Sequence, residues 1–251
     1  MRTSMILASA VAIMGTASAA AEVWPQWRGP DGQGHAVAAQ GLPITWSETE
    51  HVAWKTLLPG RGWSSPVLDD RHVWLTTAVE IAADEAEKPA LLAASSNSQP
   101  VEVARAVTMR AIAVDRDTGR IVHDVELFTV EKPQPIHKLN SYASPSPVLS
   151  GGKLLCHFGD YGTACVDTSS AMVVWVNRDL RLDHMNGPGS TPAVWHDKLV
   201  IPCDGSDVQY IAALDTGTGK VAWKTPRSGT LNDNPDLKKA YGTPLVLALD
   251  G

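Results

Sequence analysis

Short apolar runs alternate with polar turns along this chain, and the same order of runs recurs. The stretch "STPAVWHDKLVIPCDGSDVQYIAALDTGTGKVAWKT" (190–225) reads as four short strands separated by turns. Alternation of period two, with β-branched and aromatic residues between Gly, Asp, Asn and Ser, marks half-buried strands and not helices. "SPSPVLSGGKLLCHFGDYGTACVDTSSAMVVWV" (144–176) repeats that order. A third copy opens at "SSPVLDDRHVWLTTA" (64–78) and resumes at "RAIAVDRDTGRIVHDVEL" (110–127), and a fourth begins at "GTPLVLALDG" (242–251).

Each shared position has a physical reason. Pro66, Pro147, Pro192 and Pro244 open the first strand of each unit, where a missing N–H is tolerated. "DD", "GG" and "HD" are the turns into the second strand. Asp115, Asp167 and Asp215 end the third strand, where a short carboxylate caps the turn through its own backbone. Gly119 and Gly219 follow where a positive φ is expected; Ala171 takes that place in the middle copy, so its turn should be less regular. Trp175 and Trp223 lie on the fourth strand, with His123 standing for Trp in the first unit. Four strands per unit predict an all-β protein, a β-propeller of four-stranded antiparallel blades.

One hexapeptide is written almost twice, "HVAWKT" (51–56) and "KVAWKT" (220–225). The first copy has no three strands before it. It reads as an outermost strand that closes the ring from the N-terminal side, with Trp54 in the place of Trp223. The predicted organisation is a leader (1–19), an N-terminal arm (20–50) and a partial propeller (51–251), with blades at about 64–127, 144–176 and 190–225 and the next opening at 242–251. Three blades and an opening strand do not close a ring of about 7–8 blades, so the chain is expected to be the N-terminal part of a larger propeller whose open edges invite association.

Composition narrows the setting. Arg2, the apolar run "MILASAVAIM" (5–14) and "ASA" (17–19) follow the order of an export signal. The run is too short for a membrane span, so a soluble periplasmic or secreted protein, cleaved near Ala19, is expected. A net charge of −6 argues against nucleic acid as a partner. Nine tryptophans against two phenylalanines imply a repeated structural role for tryptophan. Of three cysteines, Cys156 and Cys165 flank an expected hairpin. A turn centred on Asp160–Tyr161 makes them partners for a disulfide; one centred on Tyr161–Gly162 sets Cys165 opposite Phe158. No zinc-type spacing accompanies them.

Three segments depart from the repeat. Residues 79–108 interrupt the first blade and read as a long loop or extended hairpin. The links 131–147 and 177–192 carry His137, Asn140, Tyr142, Asp183, His184 and Asn186, which would converge on one face near the channel, either as a ligand or metal site or as turn chemistry. "WPQWRGPDGQG" (24–34) is expected to dock on the ring; its G-x-G neither follows a strand nor opens a helix, so it is no nucleotide loop. No G-x-S-x-G or H-E-x-x-H motif occurs.

At A-x-D-x-x-T-G-x-x-x-W the sequence resembles the pyrroloquinoline-quinone-type β-propeller repeat family. "ALDTGTGKVAW" (213–223) carries the full tryptophan-docking motif, "AVDRDTGRIVH" (113–123) lacks its Trp, and "CVDTSSAMVVW" (165–175) lacks the Ala, Thr and Gly. The resemblance implies docking tryptophans that join neighbouring blades. Its catalytic branch implies pyrroloquinoline quinone (PQQ) and Ca2+ in the channel of an alcohol or sugar dehydrogenase, with adjacent cysteines that this chain lacks. Its other branch, the outer-membrane-protein assembly lipoprotein, implies a scaffold for exported or envelope polypeptides, although the anchoring cysteine is absent here. The scaffold reading leads, and a quinoprotein dehydrogenase fragment is the alternative, with Asp183 and His184 the residues it would draw on first.

Overall fold

The computed structural model describes residues 22–37, 39–93, 95–97, 99 and 101–247. The expected export signal and cleavage site and the last residues of the fourth unit lie outside them. The first blade is built from β1 (Val67–Leu68), β2 (His72–Ala82), β4 (Ala104–Asp115) and β5 (Ile121–Glu131), hydrogen-bonded in the order β1-β2-β4-β5. The second uses β7 (Val148–Ser150), β8 (Lys153–His157), β9 (Thr163–Asp167) and β10 (Met172–Asn177). The third uses β11 (Ala193–Trp195), β12 (Lys198–Asp204), β13 (Gln209–Asp215) and β14 (Val221–Pro226). All neighbours within each sheet are antiparallel. The four-strand units foreseen in the repeat are present, in order.

The interruption of the first blade is shorter than 79–108. Its ends are strand, because β2 pairs with β4 from His72↔Asp115 out to Ala82↔Ala104. Only the tip departs, carrying the helix α1 (Lys88–Ala93) and β3 (Val101–Glu102). β3 pairs with β6 (Ile136–His137), which anchors the insertion to the link between the first two blades. Arg61 fastens the same region, reaching Glu80 at 3.0 Å and Glu102 at 2.7 Å.

Two apolar clusters lie between the sheets. Trp74, Met109, Ala111, Leu154, Cys156 and Phe158 join the first blade to the second. Leu155, Cys165, Leu199, Ile201 and Leu214 join the second to the third. Successive residues of β8 therefore face opposite neighbours, as the strand pleat requires. The same alternation decides against the disulfide that one of the two turn registers would have allowed. The register pairs Leu155 with Cys165 and Cys156 with Ala164, so the two thiols point to opposite faces of the sheet. Neither anticipated turn forms: a five-residue loop containing a 3-10 turn, Gly159–Tyr161, shifts the register by one. Cys156, Cys165 and Cys203 are buried free thiols.

The tryptophans act between blades. Trp175 on β10 donates its indole N–H to the Thr216 carbonyl of the third blade at 3.1 Å and lies over Gly219, where a Cβ would come within 2.4 Å of the ring. Trp54 repeats this on the first blade, donating to the Arg116 carbonyl at 2.8 Å and covering Gly119. The residue two positions on completes each lock: the Asn177 amide donates to the Gly219 carbonyl at 2.9 Å, and the Thr56 hydroxyl donates to the Gly119 carbonyl. Residues 51–56, foreseen as a strand, form no strand among the described residues, yet Trp54 sits where the repeat required it. Gly119 and Gly219 both have φ of 70°. Ala171 takes up φ 56° and makes the same N–H bond to the carbonyl of its Asp, 2.8 Å, so the middle turn is as regular as the others and carries strain instead. His123, in the tryptophan position, stacks on Trp74 of its own blade at 6.1 Å.

The N-terminal arm docks along the inner strands. Trp24 and Leu68 exchange N–H···O bonds of 2.8 Å, and the Leu149 N–H donates to the Pro25 carbonyl at 2.8 Å. These bonds cover edge positions of β1 and β7 that would otherwise stand unpaired.

Candidate functional site

The links after β5 and β10 run together across one face. Gln134 ties them: its Nε2 donates to Asp160 Oδ2 at 3.1 Å and to the Leu182 carbonyl at 3.0 Å. Its Oε1 accepts the His184 N–H at 3.3 Å, and its carbonyl accepts the Tyr161 hydroxyl at 3.0 Å. Asn140 repeats the device further along. Its Nδ2 donates to the carbonyls of Asn186 (2.8 Å) and Pro188 (3.1 Å), while Oδ1 accepts the Ser141 N–H and the Ser144 hydroxyl. Side-chain amides suit this work because each carries donors and acceptors without the desolvation cost of a charge.

A cleft of about 870 Å3 opens above this platform. His137, Asn140 and Asn186 line it from the links, Asn97 and Gln99 from the insertion, and Tyr241 from the chain after β14. The walls are pinned to one another. Asn97 Nδ2 donates to the Met185 carbonyl (3.0 Å) and to Asn186 Oδ1 (2.5 Å), and the Tyr241 hydroxyl donates to the His184 carbonyl at 2.6 Å. His137 accepts the Leu139 N–H at Nδ1, 3.2 Å, so the neutral ring carries its proton on Nε2 as a donor. Asp236 and Lys239, both on the wall, pair with each other and cancel. The cleft is therefore a polar, nearly neutral surface with fixed groups.

The six residues singled out from the sequence divide into three sets. His137, Asn140 and Asn186 meet in the cleft as expected. Asp183 lines a separate recess of about 180 Å3 with Ser96 and Gln134, and His184 is buried beneath it. Tyr142 is no channel-face residue. It is fully buried, edge-on to Tyr161 with ring centroids 5.4 Å apart, and burial pushes its hydroxyl pKa up. Gln134, Asp160, Asn97, Gln99 and Tyr241 were not singled out. Gln134 offered no signal beyond its polar link, whereas the Gly-Asp-Tyr-Gly turn that holds Asp160 was read only for the cysteines.

Electrostatics follow from burial. His184 accepts the Asp160 N–H at Nε2, 2.7 Å, and burial draws its pKa down to about 4 against the opposing pull of Asp183. His157, bonded to the Thr163 hydroxyl at 2.9 Å, is drawn down to about 3 by burial and then by His184. Burial raises the Asp160 carboxyl above its ordinary value despite the Leu182 N–H and Arg181. For Asp183 the balance goes the other way. Burial opposes, but bonds from Ser96, the Met185 N–H and Ser206 hold it low.

These bonds decide how the face suits a quinone with calcium. Asp183 Oδ1 is taken by the Met185 N–H (2.8 Å) and Oδ2 by the Ser206 hydroxyl (2.9 Å). Asp160 is similarly committed to the Leu182 N–H, Gln134 and Arg181. His184 has turned its acceptor nitrogen to the backbone. Among the described residues no three His, Cys, Asp or Glu side chains converge as ligands. Hard cations need several free oxygens directed at one point, and these residues do not fit that group.

The blades, the tryptophan locks and their spacing agree with a known family. A family model described as outer membrane protein assembly factor BamB matches residues 25–225. The chain belongs to this BamB family of PQQ-like propeller repeats. Among solved structures it is similar to BamB from Moraxella catarrhalis, at 22% identity over 60% of this chain and 42% of that one, with a TM-score of 0.38. It is also similar to quinohemoprotein alcohol dehydrogenase from Comamonas testosteroni, at 16% identity over 61% and 22% of the two chains, with a TM-score of 0.33. A europium-containing methanol dehydrogenase matches at 13% identity over 60% and 30%, with a TM-score of 0.35. The matched region thus spans less than half of each of these proteins. No curated protein matches the sequence. Among the described residues of this BamB-family chain, no helix is long and apolar enough to cross a membrane, which leaves β-barrel spans unaddressed.

Proposed function

We propose that this BamB-family chain is a binding module of the cell envelope whose cleft receives an extended stretch of an exported polypeptide. One observation carries the reading: the cleft of about 870 Å3 is walled by side chains that hydrogen bonds hold in place, and the Gln99 amide and His137 Nε2 have no partner among the described residues. An extended chain presents alternating N–H and C=O groups, which neutral fixed donors and acceptors match without sequence preference. Preorganised walls also lower the entropic cost of binding. The export signal in the sequence and the family's printed description, an outer membrane protein assembly factor, support an envelope setting with exported polypeptides as partners. A dehydrogenase reading draws no support from Asp183 and His184, whose acceptor atoms are spent locally.

Equilibrium titration with a fluorescent, urea-released outer-membrane polypeptide tests this. Saturable binding is expected, weakened about fivefold or more when Gln99 and His137 are both replaced by Ala, as expected for losing about 1 kcal/mol of hydrogen bonding. Equal affinity of the two proteins would place the contact elsewhere, and no binding would remove the reading.

A further inference from the structure

We propose that a second pocket, on the far side of the insertion helix, is a site for a small apolar carboxylate of medium chain length. The pocket measures about 410 Å3 and lies between α1 and the start of the first interblade link. Ala90, Leu91, Pro133 and Pro135 give it an apolar floor, and Arg105 and Lys132 stand on its rim.

The pair of cations is the unusual feature. Lys132 donates its N–H to the Arg105 carbonyl at 2.8 Å, one step beyond the Ala106↔Glu131 pair that ends the β4–β5 ladder. The two residues are thereby neighbours just past the end of the ladder, and both side chains line the pocket. Lys132 is held at φ 47°, a left-handed conformation that costs a residue with a Cβ about 1–2 kcal/mol. No carboxylate among the described residues pairs with either cation. Glu87 lines the same pocket and accepts the Asp84 N–H at Oε2, 3.1 Å away; it keeps its charge, so the lining carries one net positive charge. Two cations and a strained backbone thus meet at an apolar pocket, where an anionic head would gain charge-assisted hydrogen bonds from Arg105 and Lys132 and an acyl tail would cover the floor. A rim with net positive charge around an apolar interior selects a medium-chain carboxylate over a neutral amphiphile.

Calorimetric titration of the whole chain with decanoate, below its micellar concentration, tests the assignment. Saturable 1:1 binding is expected, at least tenfold tighter than decanol, and weakened as salt rises. Lys132→Gly suits the positive φ, so its fold is retained; together with Arg105→Gln it should weaken decanoate at least tenfold while leaving decanol unchanged. Equal binding of decanoate and decanol would overturn the proposal, as would decanoate binding that survives both substitutions. Binding of a pentapeptide with an apolar C-terminal residue in preference to decanoate would also overturn it, moving the pocket to polypeptide recognition.

Discussion

His157 and His184 are neutral in the folded chain because each is buried and hydrogen-bonded in its neutral form. In the unfolded chain both revert to about 6.5. Below that pH the unfolded state takes up protons that the folded state refuses, so stability is full above about 6.5 and falls as pH drops towards the folded values of about 4 and about 3. The slope is about 1.4 kcal/mol per pH unit for each ring. Urea unfolding should therefore give about 4 kcal/mol less stability at pH 5 than at pH 7, and His157→Gln should remove about half of that difference. A midpoint that does not move over this range would contradict the assignment of both rings. Beside them, Gly159 has φ 62°, and a Cβ there would come within 2.0 Å of His184 Nε2. Gly159→Ala should cost about 2–4 kcal/mol, combining left-handed strain with overpacking, and thermal melts measure it.

At the scale of elements, the lock between blades has two halves on different sheets. Trp175 and Gly219 form one lock, so Trp175→Ala and Gly219→Ala should each lose about 2–3 kcal/mol, and the double variant should lose much less than their sum. The junction between the first and second blades lacks both halves, having His123 for Trp and Ala171 for Gly. The two departures belong together, since the Cβ of Ala171 stands where an indole would lie. Restoring both, His123→Trp with Ala171→Gly, should give a favourable coupling of at least about 0.5 kcal/mol in a double-mutant cycle. Additive effects would show that the junction closes by another route. The repeat positions of Trp175, Asp115, Asp167 and Asp215 were legible because their spacing is local to one turn and two strands, and Trp54 because its hexapeptide recurs at 220–225. The register of β8 on β9 was not, because a five-residue loop and either shorter turn satisfy the same letters. Of the two readings of the insertion, the extended hairpin is the one that forms, because pairing with β4 carries the strand on through 79–82.

Across the whole molecule, the blades are also clipped near their inner edge. The Ser65 N–H donates to the Ser146 hydroxyl at 2.8 Å, and the Ser146 N–H donates to the Thr191 hydroxyl at 3.0 Å. The hydroxyl residues before Pro147 and Pro192 are thus interblade links, visible in the letters as Ser-Pro and Thr-Pro but not interpretable until the blades were set side by side. Ser146→Ala should cost about 1–2 kcal/mol by leaving the Ser65 N–H unpaired, and Ser146→Thr should restore most of it. Of the face that bears the cleft, the two links were legible as polar departures from the repeat. The contributions of Asn97, Gln99 and Tyr241 were not, because they come from an insertion and from the chain beyond the third blade. This composite cleft is the proposed seat of an exported polypeptide. Photo-crosslinking tests it most directly, with the reactive residue placed at Leu139, 75% exposed on the cleft wall, and, as a control, at Trp195, 44% exposed on β11. The account predicts polypeptide adducts from position 139 that an excess of unlabelled unfolded chain competes away, and none from position 195. Equal labelling at both positions, or none at 139, would contradict it.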